Sequence, residues 1–144
     1  MTRLPISATR LDRDGYPFWP FWENVRSWWA IRDLPNVMLL HFADLKRDMP
    51  AEIRRIADFL GIQPTNWEAI LKHCSFDYMK QNAANAAPLG GDIFDGGART
   101  FINKGTNGRW QGLLSPDDVA AYEARASSEL GADCAAWLKS GRGA

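Results

Sequence analysis

Val37-Met38-Leu39-Leu40-His41-Phe42 is a short, nearly all-apolar run bounded by turn residues. Such a run suits a strand buried on both faces of a parallel sheet better than a half-solvated one, which would alternate polar and apolar positions. A parallel strand cannot stand alone, because its backbone donors and acceptors would be buried unpaired. No second good strand occurs in the sequence, so its partners are expected outside it.

Upstream of this run, Phe21, Val25, Trp28 and Trp29 recur at three- and four-residue steps between Pro20 and Asp33. That spacing predicts a helix whose aromatic stripe faces a core, stopped by Leu34-Pro35-Asn36. Residues 1–15 lack periodicity and read as an irregular lead-in ending at the Gly15-Tyr16-Pro17 turn signal. Downstream everything reads as helices and loops. Pro50 opens Ala51 to Leu60, with Ile53, Ile56 and Leu60 on one face and Gly61 as the stop. Thr65-Asn66-Trp67-Glu68 has capping-box spacing, and Ser75 can cap a short turn through Met79. Gln81 to Arg99, rich in Ala and Gly, reads as a long mobile loop. Ser115-Pro116-Asp117-Asp118 starts a helix with a stripe of Val119, Tyr122, Ala126 and Leu130, and Trp137-Leu138 closes a final amphipathic turn.

The chain has 144 residues, 46% hydrophobic and 24% charged, which excludes disorder, collagen and coiled coil. Seventeen Lys plus Arg balance seventeen Asp plus Glu, so no global field recruits nucleic acid or an anionic membrane, and any anion must be held locally. The start of the chain lacks the apolar core of a signal peptide, and a cytoplasmic protein is expected. Cys74 and Cys134 lie far apart with no partnering His spacing, which argues against a metal site and a disulfide framework. Of seven Trp, three Tyr and seven Phe, a dense group falls between Tyr16 and Trp29 and calls for a partner surface.

Two stretches could carry chemistry. Phe101 to Trp110 holds Lys104, Arg109, Gly105 and Gly108 and no acid, which suits either an anion cradle or a solvated turn locked by Trp110. It is not a Walker loop, since G-x-x-x-x-G-K-[ST] does not occur. Cys74-Ser75-Phe76-Asp77-Tyr78-Met79-Lys80 is a helix start whose Phe76 could stack on a base or fill a core. His41 and His73, without a nearby acid or nucleophile, read as structural histidines. Cys134 reads as a small buried hydrophobe.

The order of the pieces says more than any one of them: Trp28-Trp29-Ala30-Ile31-Arg32-Asp33, Pro35-Asn36-Val37, Phe42-Ala43-Asp44-Leu45-Lys46, Ile56-Ala57-Asp58-Phe59-Leu60-Gly61-Ile62, Cys74-Ser75-Phe76, Lys104-Gly105 and Gly108-x-Trp110. From Gly15 onward this series resembles the C-terminal half of a cytosolic-type sulfotransferase of bacterial flavour. The resemblance implies an α/β, P-loop-like sulfotransferase fold, of which this portion is mostly helical with one or few parallel strands. Residues 16–144 would be the C-terminal portion of a single domain behind the 1–15 lead-in. It also implies transfer of a sulfuryl group from 3′-phosphoadenosine 5′-phosphosulfate (PAPS) to a hydroxyl or amine of a small-molecule acceptor.

By the same resemblance, Ser75 and Phe76 lie beside the adenine, with Cys74 where the family usually has Thr. Lys104 and Gly105 fall on the family's Arg-Lys-Gly segment that holds the donor's 3′-phosphate, with Asn103 replacing the Arg. Phe42 stands where a Tyr often contacts adenine, so that hydroxyl is lost. Arg109 stands where Asp is common in animal members, and Gln111 to Val119 does not match the animal dimerisation pattern. The family's 5′-phosphosulfate loop and its catalytic Lys and His precede the Trp-Trp helix. No catalytic residue is therefore expected within these 144 residues, and the chain alone is expected to turn over no substrate without a complementary N-terminal half. A competing expectation is a non-catalytic interaction module that docks through the aromatic face Phe18 to Trp29.

Overall fold

Pro20 leads into α1, Phe21–Ala30, the first element of a computed structural model that describes residues 20–143. The lead-in over 1–15 and Phe18 of the aromatic face lie outside the described residues. Those described form two compact units, one joining residues 20–44 to 110–143, the other spanning 45–109.

In the first unit α1 packs against α8, Pro116–Leu130, which is followed by α9, Ala132–Ser140. The inward stripe of α1 keeps Val25 and Trp29 of the expected one, with Trp22 taking the place of Phe21 and Trp28. Trp22 is only 1% exposed, while Phe21 and Trp28 are open at 40% and 53%. Trp22 lies beside Tyr122 of α8 with ring centroids 5.8 Å apart, and Trp29 beside Trp137 of α9 at 5.4 Å. Trp22, Val25 and Trp29 thus form the inward line, still at helical steps, and two aromatics of the proposed docking face are spent inside the chain's own core. Ser115 caps α8 as expected: its Oγ accepts from the Asp118 amide at 3.1 Å and the Asp118 carboxylate accepts from the Ser115 amide at 3.1 Å. Hydrogen bonds from Ser115 hold the Asp118 carboxyl below its ordinary range. The final segment is a helix of nine residues, with Cys134 1% exposed and its thiol pushed up by burial.

Val37–His41 forms no strand, and no strand occurs among the described residues; Phe42, expected to end that strand, instead opens α2, Phe42–Arg47. A parallel strand requires a neighbouring strand to pair with, and none is found among the described residues. Its end is tied down by side chains instead. His41 Nδ1 accepts from the Ala43 amide at 3.1 Å, and Nε2 lies 3.1 Å from the Leu138 carbonyl, to which it donates. The ring stands edge-on to Trp137 at 5.2 Å, so His41 is structural.

The next residues close the unit. Asp44 is 4% exposed, and its two carboxylate oxygens accept from the Arg142 amide at 3.2 and 3.0 Å. Gly141 has φ +77, and a Cβ there would lie 2.5 Å from Asp44 Oδ1, so glycine is what lets the backbone approach the acid. Asp44→Ala is expected to destabilise the first unit by about 2 kcal/mol, the contribution of hydrogen bonds to a charged group. Urea denaturation followed by circular dichroism reads this, and an unchanged midpoint would contradict it.

The second unit starts with α3, Met49–Leu60, capped by Asp48, whose side chain accepts from the Ala51 amide at 3.0 Å, and ended by Gly61 at φ +66. Then comes α4, Trp67–Cys74, for which Asn66 is the cap (Ala69 amide to Oδ1, 3.0 Å) rather than a Thr65 capping box. Asn66 is adjacent to the first helical residue and reaches the third amide directly. Ser75 caps α5, Phe76–Gln81, at 3.2 Å from the Tyr78 amide, two residues longer than expected.

The stretch expected as a long mobile loop is partly folded, with α6, Ala83–Ala86, a 3₁₀ turn at Pro88–Gly91, and α7, Ala98–Phe101. Ala83 and Ala87 are buried, and a Cβ on Gly91 would meet that of Ala98 at 2.6 Å. Phe94 stacks on Phe101 at 4.7 Å. Small residues that read as flexibility in sequence here permit close backbone packing. No helix of the described residues is long and apolar enough to cross a membrane.

Candidate functional site

Within the second unit, the N-terminus of α5 and the loop after α7 come together. Ser75 has extended backbone (φ −70, ψ 146), donates its hydroxyl to the Lys72 carbonyl at 2.7 Å and accepts from Tyr78, which starts the helix that presents half-buried Phe76. The Phe76 ring lies against the backbone of Gly105. A Cβ on Gly105 would be 2.6 Å from Phe76 Cε2 and 3.0 Å from Cγ, and Gly105 has φ +59, a region open to glycine and costly for other residues. The two stretches singled out in the sequence, Cys74-Ser75-Phe76 and Asn103-Lys104-Gly105, are thereby brought side by side.

Their side chains differ in availability. Asn103 and Lys104 are exposed, as is Cys74, which is a free thiol. Phe42, 52% exposed, belongs to the first unit. His73 stacks on Tyr78 at 4.5 Å and serves packing. Arg99 is exposed. Among the described residues no group of His, Cys, Asp or Glu could hold a metal ion.

One residue of the cluster was not singled out by sequence reasoning. Lys80, four positions after Phe76 on α5, directs its ammonium at three carbonyls of the loop: Arg99 at 3.1 Å, Asn103 at 2.7 Å and, closer still, Ile102. The same ammonium stands 5.9 Å from the centroid of the Phe76 ring. The i to i+4 spacing from Phe76 was the available signal, since it puts both on one helix face.

Chemically, the arrangement offers an aromatic ring, a glycine packed closely on that ring and, one residue before the glycine in the chain, an exposed cation. That set suits a flat base joined to an anion. Elsewhere, in the first unit, an apolar cavity of about 600 Å³ lies between α8 and α9, walled by Tyr122, Ala126 and Leu138 and edged by the Glu123–Lys139 ion pair at 2.7 Å. None of the nucleotide-site residues expected from sequence lines it.

A family model described as Sulfotransferase domain matches residues 13–132. The chain belongs to the sulfotransferase family. Sulfotransferase 2A6 of Rattus norvegicus is 33% identical over 113 residues, which cover 76% of this chain and 39% of that protein. Sulfotransferase 1C2 of Homo sapiens is 32% identical over 102 residues, 68% of this chain and 34% of the human protein. Against these sulfotransferases the chain spans well under half their length. Among solved structures, retinol dehydratase in complex with androsterone and inactive cofactor PAP superposes with a TM-score of 0.69 at 29% identity, covering 85% of this chain and 36% of the other. Mouse sulfotransferase SULT7A1 complexed with PAP gives 0.67 at 23% identity, covering 83% and 44%. The sulfotransferase fold is thus shared although the described residues are helical.

Proposed function

We propose that this chain contributes the adenine and 3′-phosphate side of a PAPS site, and that the protein acts in sulfuryl transfer to a hydroxyl or amine. The observation that carries the reading is the meeting of Phe76 with Gly105, the residue that directly follows the exposed Lys104. Family membership and two neighbours solved with PAP, the desulfated donor, support it. In this reading Phe76 stacks on the adenine, Lys104 and the Gly105 amide hold the 3′-phosphate, and Ser75 with Cys74 borders the base. PAPS supplies the sulfuryl group. Cations for the bridging oxygen and a base for the acceptor proton come from the complementary N-terminal side of the family's domain, so the 144 residues alone bind rather than transfer.

Magnitudes set the strength of that binding. Stacking on Phe76 contributes about 1–3 kcal/mol and a charge-assisted contact from Lys104 about 1.5–3 kcal/mol. Association costs several kcal/mol, so little net affinity is left and the isolated chain should bind PAP in the millimolar range or more weakly. Titration of the chain with PAP by ligand-observed NMR, for wild type, Lys104→Ala and Phe76→Ala, tests this. Each substitution is expected to weaken binding about tenfold. Unchanged affinity in both variants would refute the assignment.

A further inference from the structure

We infer that Lys80 is a positioning residue that sets the loop segment Asn103-Lys104-Gly105 against Phe76, so that preference for a 3′-phosphorylated adenosine depends on it. The inference rests on the nucleotide reading above and adds a residue to it. An ammonium has three N–H donors and no acceptor. Lys80 meets three carbonyls of one short loop, those of Arg99, Ile102 and Asn103. Its donors are therefore spent on protein, and Lys80 is half-buried while Lys104 is exposed. The two lysines have separate tasks: Lys104 is free to meet an anion, and Lys80 is not.

The geometry explains what the clasp does. Backbone bonds within the loop are short-range, with the Ile102 amide donating to Ala98 and the Asn103 amide to Phe101. They hold the turn together without fixing where it sits. Lys80 leaves the same face of α5 as Phe76 and grips the carbonyl immediately before Lys104, linking the ring and the cation through one rigid helix. It also places positive charge on three carbonyl oxygens that would otherwise present partial negative charge beside an anion site. Loss of the clasp should free the loop while leaving the Phe76 ring on its helix. The 3′-phosphate contribution falls and the adenine contribution stays.

The test compares dissociation constants for PAP and for adenosine 5′-monophosphate, which lacks the 3′-phosphate, in wild type, Lys104→Ala, Lys80→Met and Lys80→Gln. Hydrogen exchange of residues 99–105 is followed without ligand. Wild type should prefer PAP and Lys104→Ala should lose that preference. Lys80→Met, which keeps the stem and removes the donors, should cut the preference about tenfold with little change for the monophosphate. Exchange over 99–105 should rise. General destabilisation would instead weaken both ligands alike. If Lys80→Met does not fold, Lys80→Gln, which keeps one amide group with donors, carries the comparison. Lys80 variants that retain both the preference and the protection, beside a Lys104→Ala that loses the preference, overturn this inference alone. A wild type with no preference for PAP overturns the nucleotide reading, and unchanged exchange then overturns the clasp as well.

Discussion

Replacing Trp22 by alanine is expected to cost about 3–5 kcal/mol, the range for emptying a buried Trp site. Domains of this size have about 5–15 kcal/mol to lose, so much of the first unit's stability hangs on this residue. The indole is 1% exposed and lies between Phe21, at 4.8 Å, and Tyr122, at 5.8 Å, joining α1 to α8. Arg26 also joins the two helices, reaching the Glu129 carbonyl at 3.2 Å while half exposed. Such pairs are worth less than about 1 kcal/mol in water. Trp28→Ala is the control: the side chain is 53% exposed and its removal should shift the urea midpoint little. Equal losses for the two variants would mean that the buried register of α1 is wrong.

That register is a case of what a linear pattern can and cannot convey. Phe21, Val25, Trp28 and Trp29 and the line Trp22, Val25, Trp29 are both at helical steps, because the helix is crowded with aromatics on every side. Periodicity reveals the helix, and only packing against Tyr122 and Trp137 selects its inner face. Caps were more legible, since a cap is a local bond: Ser75, Ser115 and Gly61 act where expected. The apolar run Val37 to Leu40 was legible as something to be covered, but a strand is a relation between segments, and nothing local makes one.

The candidate site divides the same way. Ser75, Phe76, Lys104 and Gly105 could be picked out because family resemblance points to residue types in order. The stretch between them carries the close packing of Gly91 on Ala98 and of Phe94 on Phe101, where composition suggested mere flexibility. Lys80 escaped for a related reason. A lysine on a helix is ordinarily a solvated charge, and its three carbonyl partners come from a loop whose path no spacing rule predicts.

Gly105→Ala should do the greatest damage to the proposed nucleotide site, with PAP binding weakened by more than about tenfold. Two effects combine. An alanine at φ +59 carries the strain of the left-handed region, about 1–2 kcal/mol. Its Cβ would also lie 2.6 Å from Phe76 Cε2, so either the ring must leave its place or the loop must move away. Both escapes separate the ring from Lys104. Gly61→Ala isolates the first effect: φ is +66, but nothing lies within 4 Å of the added atom, so it should cost strain alone and leave PAP affinity unchanged. The double variant Gly105→Ala/Phe76→Ala isolates the second. Removing the ring relieves the overlap, so the stability losses of the two single variants should sum to more than the loss of the double. Additive losses in urea denaturation would show that Phe76 and Gly105 do not touch. The reading of this loop as one wall of a nucleotide site would then lose the contact on which it stands.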